Sequence, residues 1–476
     1  MTTEQTSSTP APPAAQTAPK KLRPIQALGL GLVGMGYGPT LATLGAYLII
    51  YSPNGPILTI VVVFVAIFAV AGVVAFFARQ YVGRGGMLTY AYRTAGHVAG
   101  YLMGATLLLG NILLVAVIVA SSAIFGISAA SRLGIDASGT TAQIVVLAII
   151  GSVSTLVCLR GLRSAADIGS ILGLVCLPFI AWVLIQGGVT MGIDVDAIFL
   201  FDPPTFDPGT FVFGLVLIAS AFFGFEQLTT LAADTESPRR SIPLVLFGCV
   251  IVGIPVAVLS LVFGAAIGTQ KVDELVAGAS PLSILADAAG LGWMSVPLDL
   301  LVFAAALALQ IAVQTYGSQL LSTMGEIGLL PRWFAFRGKR WGIAFRSVIT
   351  IGLVSILVPI IVAVVTAGGP IDTAIYLTEP IGFIWSIAYI IIGVLALWLV
   401  ARARSGWLTA LCAVVVILGF GALMVFALKD GFSTVFSTEA WLVVIAIGVV
   451  FLAFWALHKV RTRTGSIDLT KLDDVE

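Results

Sequence analysis

Glu226 is the side chain in this sequence best placed to do chemistry. It lies in SAFFGFEQLTTLAADTESPRRSIP, residues 220–243, where a run apolar enough for lipid abruptly admits Gly224, Glu226, Gln227 and the pair Thr229 and Thr230. A carboxylate well inside an apolar span loses solvation and can change its protonation when its surroundings change. Two readings stand for it: a proton carrier, or a hydrogen-bonded pin that holds an opened backbone in place.

The second chemical resource is backbone. GLGLVGMGYGPT, residues 29–40, sets Gly29, Gly31, Gly34, Gly36 and Gly38 ahead of Pro39. Glycine takes non-helical dihedrals cheaply, and proline removes an amide donor while crowding the preceding turn, so a helix can open here and again at Gly224. At membrane depth an opened backbone is tolerated only where it lines a protein-buried cavity. Amides at a half-helix N-terminus suit a carboxylate, and carbonyls at a half-helix C-terminus suit an ammonium, so a zwitterion fits such a pair. Close helix packing is the other reading of membrane glycines; the density of glycines before Pro39 and the second break favour opening.

The elements that must position these groups follow from composition. A chain of 476 residues that is 59% hydrophobic and 10% charged is not a soluble domain but a polytopic membrane protein. Apolar windows long enough to cross a hydrocarbon core of ~30 Å fall near 25–50, 56–78, 97–130, 142–160, 167–190, 210–233, 241–268, 293–324, 346–367, 371–400, 406–428 and 439–458. With twelve spans and a cytoplasmic N-terminus, 21 of the 24 Lys and Arg residues fall on the cytoplasmic side; Arg132, Lys271 and Lys429 are the 3 others. The asymmetry places both termini in the cytoplasm. Residues 1–20 read as a disordered cytoplasmic tail, and so does the chain after about 464.

Basic residues occur in short clusters between apolar runs, which gives no nucleic-acid-binding face. Cys158, Cys176, Cys249 and Cys412 lie within spans and lack metal or disulfide spacing, so no cofactor is expected. Two histidines, His97 and His458, read as interfacial, and no Ser/His pairing suggests an enzyme. Asp299 and Glu379 stand near the external ends of their spans, either in a vestibule or at headgroup level. Asp194, Asp196, Asp202 and Asp207 make the loop after the fifth span acidic, and Asp234, Glu236, Arg239 and Arg240 read as a cytoplasmic ion-pair cluster.

Spans one and six, two and seven, and five and ten recur at similar offsets, as two five-helix halves would. An odd number of helices per half inverts the second half across the membrane. The expected organisation is a tail over 1–23, repeats over 24–208 and 209–404, two further helices over 405–460 and a second tail over 461–476.

GFEQLTTLAADTESPRRSIP resembles the sixth-helix signature of the amino acid–polyamine–organocation permeases. GMGYG in the first span, GRGGMLTYAYRTAGHVAGYLMG at 83–104 and SQLLSTMGEIGLLPRWF at 318–334 agree in order and spacing, so the likeness covers roughly residues 20–460. The resemblance implies an all-α, five-plus-five inverted-repeat fold of the LeuT-like type, with discontinuous helices 1 and 6 and two extra helices. It implies alternating access and an amino acid or amine bound among helices one, three, six, eight and ten. By position the substrate carboxylate meets Gly34, Met35, Gly36 and Tyr37, and the ammonium meets carbonyls from Ser220 to Phe223, with Phe222, Gly224 and Gln314 also at the site. Asn111 aligns with an asparagine at the substrate side chain in the arginine–agmatine exchanger branch; bonding to a neighbouring helix is the equal alternative. Glu226 matches an acidic position linked to proton coupling.

The sequence departs from the family at several points. Cys176 stands where a lysine is often found, Ser220 where the exchangers have a gating tryptophan, and Gln319 and Glu326 where arginine is common. Tyr37 and Gly38 replace apolar residues. The sequence reading is therefore a plasma-membrane permease for an amino acid or related amine, coupled to H+ or working by exchange, with lipid as its surroundings. A polyamine carrier and a non-transporting amino acid sensor are the alternatives.

Overall fold

The computed structural model describes residues 21–135, 139–276, 279–338, 344–403, 406–429, 436–462 and Leu472. The remaining parts of both tails lie outside the described residues.

Hydrocarbon offers no hydrogen-bond partner to a backbone, so a chain of long apolar runs is driven into helices, which bond every interior amide within themselves. Among the described residues twelve helices are long and apolar enough to cross a membrane: α1 (Pro24–Tyr51), α2 (Pro56–Gln80), α3 (Met87–Arg132), α4 (Thr140–Cys158), α5 (Leu162–Met191), α6 (Pro208–Asp234), α7 (Pro238–Gln270), α8 (Gly292–Glu326), α9 (Phe345–Thr366), α10 (Pro370–Ala403), α11 (Trp407–Lys429) and α12 (Trp441–Val460). They match the twelve expected spans. Among the described residues the lone pairing of strand type is a parallel bridge between Leu22 and Thr235.

Two helices differ from their sequence outline. α3 begins ten residues before the expected span and bends at Ala95 and Gly96, where Gly96 has φ 75°. The polar and aromatic content of MLTYAYR hides its helicity from a hydropathy window. α5 is interrupted at Cys176, with its second part starting at Leu177, because Pro178 in the new first turn has no amide to continue the ladder.

α1, α3, α6, α8 and α10 surround the interior, and α7 lies along α1. There Gly45 lets two backbones touch: a Cβ on it would stand 1.9 Å from the Ser260 carbonyl oxygen. Ser260 Oγ accepts the Gly45 amide at 2.9 Å and donates to the Thr40 carbonyl at 3.1 Å. Small residues thus allow close packing where no aqueous hydrophobic force acts between helices. Large apolar side chains such as Val65, Leu357, Leu418 and Val449 face outward, as lipid contact requires.

The chain is strapped together at the end of the bundle where α1 begins. Leu22 N–H donates to the Asp234 carbonyl at 2.7 Å, and Glu236 N–H donates back to Leu22 at 2.9 Å. The Arg163 guanidinium donates to the Lys21 carbonyl. Gln26 reaches Asp167 at 2.9 Å, and Arg84 pairs with Asp234 at 3.3 Å. Asp234 thereby gains a partner from the loop after α2, outside its expected local cluster. Leu472 is buried and packs at Gly83 and Gly85.

Candidate binding cavity

Both glycine-marked helices are discontinuous. The first part of α1 ends at Gly34, Gly36 turns with φ 61°, and the helix restarts at Tyr37. A side chain at Gly36 would require this left-handed conformation and would bring its Cβ to 2.9 Å from Leu309. α6 is helical over Pro208–Ser220, turns at Gly224 with φ 95°, and continues as a ten-residue 3-10 helix, Phe225–Asp234. Such length is unusual for 3-10 geometry, whose runs seldom exceed three or four residues.

The breaks meet at one cavity of about 180 Å³. Gly34 and Gly36 of α1 and Ser220, Ala221 and Phe223 of α6 line it, with Leu114, Val117 and Phe125 of α3, Leu309 of α8 and Ile375 of α10. At the restart of α1 the Tyr37 and Gly38 amides come first, Pro39 has none, and the Thr40 amide bonds the Gly36 carbonyl at 3.0 Å. At the end of the first part of α6 the carbonyls of Ile218, Ala219 and Ser220 accept the amides of Ala221, Phe222 and Phe223 at 3.2, 2.9 and 3.4 Å. Neither helix end places a formal charge on the cavity.

Of the expected site residues, Gly34, Gly36, Ser220 and Phe223 line this cavity, whereas Met35, Tyr37, Asn111, Phe222, Gly224 and Gln314 are not among its lining. Tyr37 donates its hydroxyl to the Cys249 carbonyl on α7. Phe222 packs on Phe64, ring centres 4.9 Å apart. Asn111 donates to the Leu107 carbonyl at 2.8 Å, and Gln314 donates to Thr155 at 2.9 Å and to the Val348 carbonyl at 3.2 Å. Both polar side chains thus bond to helix groups.

Glu226 has no exposed surface. Tyr389 of α10 donates its hydroxyl to Oε2 at 2.8 Å, while Oε1 has no hydrogen-bond partner. Phe223 covers this pair, its ring centre 5.7 Å from that of Tyr389. Gln227 and Gln310 are also buried, with amide groups lacking protein partners, so the interior around the α6 break is polar. The sequence reading missed Tyr389; an isolated tyrosine in a long apolar helix gives no signal of its partner.

Other expected positions fall elsewhere. Asp299 is not solvated but fully buried: its Oδ2 accepts from Ser128 at 2.6 Å and Ser283 at 2.8 Å, and its Oδ1 is unpartnered. Glu379 is buried as well, and neither carboxylate lines the cavity. His97 and His458 lie with tilted rings, centres 4.8 Å apart, and His458 Nδ1 shares a hydrogen bond with the Tyr101 hydroxyl at 2.8 Å. Arg337 bonds Glu326 at 3.0 Å and Gln319 at 3.3 Å, which links the two positions where the sequence departs from the family pattern.

Twelve apolar helices among the described residues, with a cavity where two spans are broken, indicate a multi-pass membrane protein. Residues 27–404 match the amino acid permease family, and the chain belongs to it, within the amino acid–polyamine–organocation superfamily. Proteins described as uncharacterized transporters in Mycobacterium bovis and Mycobacterium tuberculosis are 27% identical to the chain over 301 residues, which is 60% of its length. The chain spans 63% of the length of these relatives.

Proposed function

We propose that the protein is a secondary active permease that moves an amino acid or related amine across the plasma membrane by alternating access. The observation that carries this reading is the meeting of both helix breaks at one cavity. Amides at the α1 restart take the substrate carboxylate and carbonyls at the end of the first α6 segment take its ammonium. In this reading 24–208 and 209–404 are inverted five-helix repeats, α11 and α12 are additions, and both termini are cytoplasmic. Met35, Tyr37, Phe222 and Gly224 act from behind the breaks, and Asn111 and Gln314 enter the site only if their helices turn.

Glu226 is the proposed proton carrier. Its burial, its single donor from Tyr389 and its unpartnered Oε1 support this role. Uptake of labelled amino acids into proteoliposomes tests the transport reading: binding without flux would point to a sensor. Glu226→Gln should remove the pH dependence of flux and spare binding. Unchanged pH dependence would leave Glu226 a structural pin.

A further inference from the structure

We infer that the cavity selects neutral amino acids with aliphatic or aromatic side chains and rejects cationic amino acids and diamines; this rests on the permease reading. Three observations converge.

First, no Asp, Glu, Lys, Arg or His is among the residues that line the cavity. A second positive charge brought into this space would meet no counter-charge, and an unpaired buried charge is strongly disfavoured. The nearby acids lie off the lining: Glu226 is buried and bonded to Tyr389 through one oxygen, Glu379 is buried, and Asp372, which reaches Tyr51 electrostatically, is exposed and accepts the Gly369 amide at 3.0 Å.

Second, four hydroxyls on the wall are already used. Thr43 donates to the Pro39 carbonyl at 2.9 Å, Ser122 to Ile118 at 2.6 Å, Ser220 to Leu217 at 2.8 Å and Thr378 to Ala374 at 2.8 Å. Each of these four bonds back to its own helix, while the buried Tyr47 hydroxyl has no partner and remains a neutral donor on the wall. Tyr47 and Tyr51 add phenols, which are neutral.

Third, what remains is apolar on every side: Leu114, Val117, Leu217, Phe223, Leu309 and Ile375 come from four different helices. Ser220 leaves room that a larger residue would fill. The charges of the substrate are thus handled at the two helix ends, and its side chain is read mainly by apolar contact.

The test uses the full-length protein in proteoliposomes, with labelled leucine, phenylalanine, lysine and putrescine at equal concentration. Leucine or phenylalanine uptake should exceed that of lysine and putrescine by roughly tenfold or more. Lysine or putrescine uptake equal to or above leucine would overturn the selectivity while leaving transport intact. Absence of flux and of thermal stabilisation by every compound would instead remove the permease reading and this inference with it. Ser121→Asp, which puts a carboxylate on the lining, should narrow the leucine-to-lysine ratio, and Ser220→Trp should reduce phenylalanine uptake more than alanine uptake. A leucine-to-lysine ratio unchanged by Ser121→Asp, in protein that still melts cooperatively, would also count against the inference.

Discussion

The two ends of the bundle are held by different chemistry. Where α1 begins, the chain before α1 and the chain after α6 exchange backbone hydrogen bonds through Leu22, Asp234 and Glu236, and partly exposed ion pairs such as Arg84–Asp234 surround them. At the other end, where the loop after α5 enters α6, the Arg132–Asp287 pair is likewise exposed, but a fully buried carboxylate, Asp299, also gathers hydroxyls from α3 and from the short helix Pro281–Ala288. The first clasp joins the two broken helices directly. The second ties surrounding elements to each other, and at that end the chain after α1 meets the chain before α6 through Asn54 and Asp202, at 2.9 and 3.0 Å, and through the Gly55 amide and Leu200 carbonyl at 2.7 Å.

Substitutions at each end separate these contributions, and the largest effect belongs to the buried one. Asp299→Ala strands the Ser128 and Ser283 hydroxyls, at a cost of about 1–3 kcal/mol. A lower melting temperature of the purified protein should register it, with little dependence on salt. An Asp299→Ala protein that melts like the parent would remove the contrast between the ends.

A smaller loss is expected at Asp207, whose Oδ2 accepts the Thr210 amide at 2.8 Å and caps α6. Asp207→Ala should cost about 1 kcal/mol. The Thr210 amide holds this exposed carboxyl below its ordinary value. The contribution is therefore complete above the usual carboxylate range and fades as pH falls through the lowered value. Asp207→Asn keeps an acceptor, so a melting profile across acid pH that matches the parent would show that the charge is irrelevant there.

The smallest change is expected for Arg84→Gln, because both partners are partly exposed, 34% and 23%. Its effect should stay within about 1 kcal/mol and shrink further in high salt. A large, salt-independent loss would mean that the ion pair, and not the Leu22 backbone bonds, holds this end closed.

Much of this architecture was legible in the sequence because its causes are local. The length of an apolar run sets a span, a glycine cluster before Pro39 sets where α1 opens, and Gly224 sets where α6 opens. The start of α3 was hidden because MLTYAYR is helical without being apolar enough. Pairings across long separations left no trace: Tyr389 and Glu226 are 163 residues apart, and Arg84 and Asp234 are 150 apart. Asn111 shows a finer limit. Leu114, Val117 and Phe125 form a stripe at helical spacing that lines the cavity, yet Asn111, one turn earlier, falls outside it. Sequence spacing gives the face of a helix, and the depth at which a cavity ends depends on neighbours.

The 3-10 segment Phe225–Asp234 stores length. At a rise of about 2.0 Å per residue it spans about 20 Å, against about 15 Å for the same ten residues wound as α-helix. A change of winding alone would draw Thr235 about 5 Å toward Gly224, close to one α-helical pitch. Since Thr235 lies in the clasp with Leu22, helical pitch in α6 becomes a measure of how far the two broken helices can part, with no hinge needed elsewhere in the chain.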